Sequence, residues 1–241
     1  MKKLLSLMFI LAFFTNLKAQ PPVYDDLLIL YADGNYPKLI KMCKKYATKD
    51  NSKKDPLVYL YLAKGYFKIS FDADRDEEFK NAYKDVFGAA SKCRKKDKDS
   101  SVFVKHREFF SEIKMTLVEA IENELDAKDY RKAAGWVRKV YKLEKNELGS
   151  KYLEGACKYR AGDKGGAKAL WKQADLILKG ITSLDGKYPE DLALLKMGLF
   201  ETAECYVKMR QPDKAKLLLG KFAQWFEKDR DFKQRYDDIV N

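Results

Sequence analysis

Two stretches, Leu125-Asp126-Ala127-Lys128-Asp129-Tyr130-Arg131-Lys132-Ala133 and Tyr159-Arg160-Ala161-Gly162-Asp163-Lys164-Gly165-Gly166-Ala167, align without a gap at an offset of 34 residues. Each runs through a turn signal (Ala127-Lys128-Asp129, Ala161-Gly162-Asp163) and ends on an alanine. Four residues past each alanine stands an apolar side chain (Val137, Trp171), and seven past it another (Val140, Ala174). That spacing places all three on one helix face. A helix, a tight turn and a second helix that buries the alanine face therefore form the unit, and the unit occurs twice in succession.

The same frame extends in both directions. Gly34-Asn35-Tyr36 makes a turn before Leu39, Cys43 and Tyr46, and Gln211-Pro212-Asp213 makes one before Ala215, Leu219 and Phe222. After Asp55-Pro56, the residues Tyr59, Leu62, Ala63 and Tyr66 fall on a W-x-x-L-G-x-x-Y-like pattern, and Ala203 and Tyr206 precede the last turn. On these residues the chain resembles the tetratricopeptide repeat family over most of its length. The resemblance implies an all-α fold, a right-handed α-solenoid of about five helix-turn-helix units. Small residues (Ala63, Gly155 and Ala203 on first helices; Ala133, Ala167 and Ala215 on second helices) let the helices approach closely, while Tyr66, Trp171 and Phe222 fill the space between units. Frames starting at 20, 56, 114, 148 and 196 are separated by 36, 58, 34 and 48 residues, so insertions are expected at 71–100 and 179–189. A polar capping helix is expected over 231–241, with Phe232, Tyr236 and Ile239 inward.

Composition agrees with a folded helical domain. Of 241 residues, 46% are hydrophobic and 13% aromatic, too apolar for a disordered chain. Six prolines and thirteen glycines argue against a β-sandwich or barrel. A generic helical bundle would show the same helices and differ only in their stacking.

The N-terminus reads as an export signal. Lys2 and Lys3 precede an apolar stretch from Leu4 to Phe14, too short for a membrane span, and a polar region follows to Ala19. A signal peptide over 1–19, a mature domain over 20–241 and a periplasmic or secreted location in a bacterium are expected. Loss of Lys2, Lys3 and Lys18 leaves 45 basic residues against 36 acidic, a formal charge of +9.

Catalytic signatures are sparse. His106 is the single histidine and sits among charges, which reads as a surface residue. The sequence carries no G-x-S-x-G elbow or H-E-x-x-H, and Gly162-Asp163-Lys164-Gly165-Gly166 lacks the spacing of a phosphate loop. In Asp72-Ala73-Asp74-Arg75-Asp76 the acids alternate as in a calcium loop, but Glu77 and Tyr83 stand where glycine and the bidentate glutamate belong, so they read as helix caps. No enzyme activity, metal or cofactor is expected. Cys43, Cys93, Cys157 and Cys205 are even in number; buried free thiols are the favoured reading, and Cys157–Cys205 is the pair to test for a disulfide.

Two binding surfaces emerge. The family resemblance implies a concave groove lined by first helices, here Tyr24, Leu28 and Tyr31; Leu60, Lys64 and Phe67; Val118, Glu122 and Leu125; Tyr152, Tyr159 and Arg160; Phe200, Glu204 and Lys208. Such a groove would hold a protein or peptide and make the chain a non-catalytic scaffold of the bacterial envelope. The alternative uses the basic clusters at Lys41, Lys44 and Lys45, at Lys53 and Lys54, and from Lys92 to Lys98, which suit an anionic lipid or lipopolysaccharide surface. Export argues against nucleic acid. Partner identity and oligomeric state are not encoded in any motif.

Overall fold

The computed structural model describes residues 24–145 and 147–240. The expected signal peptide over 1–19 lies outside them. Among the described residues the fold is all-helical, with twelve α-helices: α1 (Asp25–Ala32), α2 (Tyr36–Tyr46), α3 (Pro56–Ser70), α4 (Ala82–Lys96), α5 (Ser101–Lys105), α6 (Arg107–Asp126), α7 (Tyr130–Leu143), α8 (Leu148–Arg160), α9 (Lys164–Leu178), α10 (Pro189–Lys208), α11 (Pro212–Ala223) and α12 (Arg230–Val240). Consecutive helices pack in neighbouring pairs. None is long and apolar enough to cross a membrane.

One turn recurs four times. It joins α1 to α2, α6 to α7, α8 to α9 and α10 to α11, each through three residues. The middle residue is left-handed in every case: Gly34 (φ 71°), Lys128 (57°), Gly162 (97°) and Arg210 (58°). The third residue's N–H donates to a carbonyl five residues back: Asn35 to Leu30, Asp129 to Glu124, Asp163 to Lys158 and Gln211 to Tyr206, at 2.8–3.0 Å. This Schellman geometry satisfies the last carbonyls of the first helix. The Asn35, Asp129 and Asp163 side chains then accept from the N–H three residues on and cap the second helix. Ala133, Ala167 and Ala215, four residues past the third turn residue, are fully buried.

Helices α3 and α4 are joined differently, by residues 71–81 with a 3₁₀ turn at Glu77–Phe79. Two first helices begin a turn or two before the repeat frame. Helix α6 starts at Arg107 rather than 114 because Phe109, Phe110 and Ile113 prolong the buried stripe of Leu117 and Ile121. Helix α10 starts at Pro189 rather than 196, proline at its first position with Glu190 and Asp191 following.

Stacking departs from a uniform series at α10. It packs chiefly on α8, as does α9, which buries Ala167, Trp171 and Ala174; α9 and α10 meet at Trp171 and Tyr206, whose rings are 5.0 Å apart. Two glycines permit the approach. A Cβ at Gly149 would collide with the Leu194–Leu195 backbone, and one at Gly198 with the carbonyl of Gly149. Helix α8 is thereby enclosed by α7, α9 and α10. The Tyr152 carbonyl accepts from Trp171 Nε1 at 3.2 Å and from Thr202 Oγ1 at 3.0 Å, tying α9 and α10 to α8. Farther on, α12 covers the end of the stack with Phe232 buried and Tyr236 and Ile239 half-buried.

Two stability measurements probe this fold. Lys128→Gly relieves a left-handed non-glycine and is expected to stabilise by about 1 kcal/mol in urea unfolding. Gly149→Ala is expected to destabilise by at least about 2 kcal/mol, since the colliding atoms are backbone rather than yielding side chains.

Candidate protein-binding surface

The residues expected to line one continuous groove separate into three groups. Tyr24, Leu60, Phe67, Tyr152 and Phe200 are buried, as is Val118, and all six belong to the core. Tyr24 donates to Asp55 at 3.1 Å and sets its ring edge against Tyr46, fastening α1 to the start of α3. Tyr152 turns toward the second helices: its hydroxyl donates to Asp175 at 2.8 Å and its ring meets Phe222. Tyr159 lies beside Trp171 on the same side. The spacing that assigned these aromatics to helix α8 could not say which neighbour they face, and α8 has neighbours all round.

The second group is held by internal partners. Arg160 pairs with Glu201 at 2.9 Å and Glu204 at 2.6 Å and donates to the Tyr130 hydroxyl at 3.1 Å, bridging α8, α10 and α7. Burial pushes the Glu201 carboxyl up even though Arg160 opposes the shift. Phe200 is covered by α12, with Phe232 at 5.1 Å and Arg235 at 4.4 Å.

The first-helix side of this half is closed by charge as well. The longer N-terminal turns of α6 and α10 meet where Arg107 binds Glu190 at 2.9 Å and Lys114, 1% exposed, binds Asp191 and reaches Glu144 at 2.8 Å. Burial alone would lower the Lys114 ammonium. The carboxylates of Glu147, Glu144 and Asp191 outweigh it and hold the group above its ordinary value. Buried, Glu147 caps α8 by accepting from the N–H groups of Gly149 and Ser150, and desolvation keeps its carboxyl raised despite Lys114. No motif flagged this cluster, because its members lie on four separate elements.

What stays accessible is the face built by α1, α3 and α6. Lys64 is half-buried, with its Nζ 5.3 Å from the Tyr31 ring centre, 5.9 Å from Tyr61 and 5.8 Å from Phe109. Tyr31 and Tyr61 stand edge to face at 6.4 Å. Below them Phe67 contacts Phe109 and Phe71, and Phe71 is 65% exposed. Leu28, 52% exposed, lies one turn from Tyr31 on α1. Burial lowers the Lys64 ammonium, partly offset by Glu112, and burial together with Lys64 and Lys105 lowers the His106 imidazole. His106 is thus half-buried beside this cluster rather than simply exposed. Of the expected groove residues, the structure brings Tyr31 and Lys64 together here and adds Tyr61 and Phe71, over the buried Phe67 and Phe109. Glu122 and Lys208 are exposed, away from any such cluster.

All four cysteines are free and buried. Burial pushes the thiols of Cys43, Cys93 and Cys157 up to about 12 and that of Cys205 up to about 11, so none is a ready nucleophile.

Removing the buried cation tests the closure. Lys114→Met leaves Asp191, Glu144 and Glu147 without their shared counter-charge and is expected to cost about 3–5 kcal/mol at pH 7.5. Lys114 is the largest influence lowering the Glu147 carboxyl, so its loss raises that carboxyl further. A group raised in the folded state adds stability as pH falls and loses it as pH rises, more so in the variant than in the natural protein. The deficit, read from urea midpoints at pH 7.5 and pH 5.5, should therefore be smaller at pH 5.5.

No family model matches the chain, and no curated protein matches it.

Proposed function

We propose that the chain is an exported, tetratricopeptide-like α-solenoid that serves as a non-catalytic scaffold in the bacterial envelope, holding a protein or peptide partner on the face formed by α1, α3 and α6. The four recurring turns and the buried alanines after three of them support the repeat reading. One observation carries the binding reading: the half-buried Lys64 set among Tyr31, Tyr61 and Phe109, with the exposed Phe71 and Leu28 nearby. Tyrosines are rigid amphipathic anchors that lose little side-chain entropy on contact, and they are enriched at binding hot spots. Lys64 adds a cation already partly stripped of water, so an acceptor reaching it gains more than it would from a solvated lysine.

In this reading the partner spans the N-terminal half only. The C-terminal half, where α10 closes on α8 and α12 caps the stack, provides the rigid support. Binding is dominated by apolar contact, so it resists moderate salt.

Pull-downs from envelope extract with residues 20–241, at low and high salt, test the proposal. A discrete protein is expected to stay bound at high salt with the natural sequence and to be lost with Tyr31→Ala and Phe71→Ala combined. Equal recovery with the double variant, or recovery of lipid or polysaccharide alone, would overturn it.

A further inference from the structure

A lysine-lined recess lies at the edge where second helices end and first helices begin. There the C-terminal ends of α4 and α7 and the short α5 enclose a cleft of about 940 Å³. Lys95, Lys98, Lys142 and Lys145 line it, all exposed. Among the described residues none of these four is in an ion pair or over an aromatic ring.

The acids in the same cleft are occupied internally. Asp97 accepts from the backbone N–H of Val102 and Phe103 at 3.2 and 2.8 Å and pairs with Arg94 at 3.4 Å, and Glu144 holds Lys114. Helix dipoles do not account for all four lysines. Lys95 and Lys142 lie in last turns, but Lys98 and Lys145 lie past the helix ends, and the Leu143 carbonyl is already taken by Arg94 at 2.9 Å. Within the cleft, Val104 presents an apolar side chain that is 71% exposed.

We infer that this cleft binds an acidic peptide segment of a partner protein, with an apolar side chain of the segment against Val104 and its carboxylates among the four lysines. A neighbouring cleft of about 600 Å³ shares Asp97 and Lys98, but there Lys96, Lys98 and Lys105 are matched by Asp55, Asp97 and Asp99, so the unpaired positive charge is confined to the first cleft and suits a short acidic segment. Single-stranded nucleic acid needs open aromatic faces for base stacking. Here Phe103 has Arg94 at 3.8 Å and Arg107 at 5.2 Å, and Tyr141 has Lys151 at 4.3 Å. A flat bilayer would meet the rim lysines but would not fill the recess. This surface is separate from the α1–α3–α6 face, and neither proposal depends on the other.

Fluorescence anisotropy with the chain over residues 20–241 tests the inference, using a labelled Asp/Glu peptide with a central Leu-Phe pair and its Asn/Gln analogue. The acidic peptide is expected to bind at least about tenfold more tightly than the analogue. Lys95→Glu with Lys142→Glu, and separately Val104→Asp, should each weaken it by at least about tenfold, whereas Tyr31→Ala with Phe71→Ala leaves it unchanged. Circular dichroism melts establish that these surface variants fold. No binding of the acidic peptide, equal binding by the Lys95/Lys142 variant, or capture of phosphatidylglycerol vesicles without the peptide would overturn the inference.

Discussion

The contact on which the structure turns is the meeting of α8 and α10 at Gly149 and Gly198. Glycine in a helix costs roughly 1 kcal/mol relative to alanine, so two of them in facing helices need a compensating gain. Here the gain is backbone proximity: each glycine's missing Cβ leaves room for the other helix's main chain. Once α10 lies that close to α8, it cannot also pack broadly on α9. Its N-terminal turns are carried instead toward α6, which it contacts directly. Helix α8 becomes a central strut, with nine of its thirteen residues buried.

Electrostatics follow from that placement. Bringing the first turn of α10 to α6 sets Glu190 and Asp191 against Arg107 and Lys114 in a region with little water. Unpaired, a buried lysine or carboxylate would be strongly destabilising. Paired and cross-bonded, the cluster is tolerable and specifies one arrangement of four elements. It also uses up the acids at this edge. The lysines just outside, Lys95 and Lys98 at the end of α4 and Lys142 and Lys145 at the end of α7, form no ion pair among the described residues. The opposite edge, where the three-residue turns lie, is compact because each turn satisfies its own backbone groups.

Much of the fold was legible in the sequence because it is written in local signals. Gly34-Asn35, Lys128-Asp129 and Gly162-Asp163 mark three of the four identical turns, and the alanine followed by apolar residues four and seven on marks the buried face of the helix after the last two. The candidate site was less legible. Periodicity tells which residues of α8 share a face but not which helix that face meets, so Tyr152 and Tyr159 were assigned to a groove when they point at α9. Gly155 was recognised as a close-packing position, where it meets Trp171, yet Gly149 and Gly198 were not: nothing local separates a glycine that admits another backbone from one that merely weakens a helix. The Lys114 cluster was invisible for a related reason. Its residues are 30 and 77 positions from their partners and follow no motif spacing.

The same reasoning explains why the accessible aromatic face sits where it does. Between α1, α3 and α6 the contacts are ring to ring, Tyr31 against Tyr61 at 6.4 Å and Phe67 against Phe109 at 5.9 Å. Rings that separate helices cannot all be buried by them. Part of each tyrosine remains at the surface, and the half-buried Lys64 ammonium lies over those rings, 5.3 Å from the centre of Tyr31 and 5.9 Å from that of Tyr61. At α8 and α10 glycine does the opposite, eliminating the gap and with it any surface between the helices. A single chain thus acquires a closed half and an open half from one choice, repeated at successive contacts, between a side chain that fills the space between helices and a residue that abolishes it.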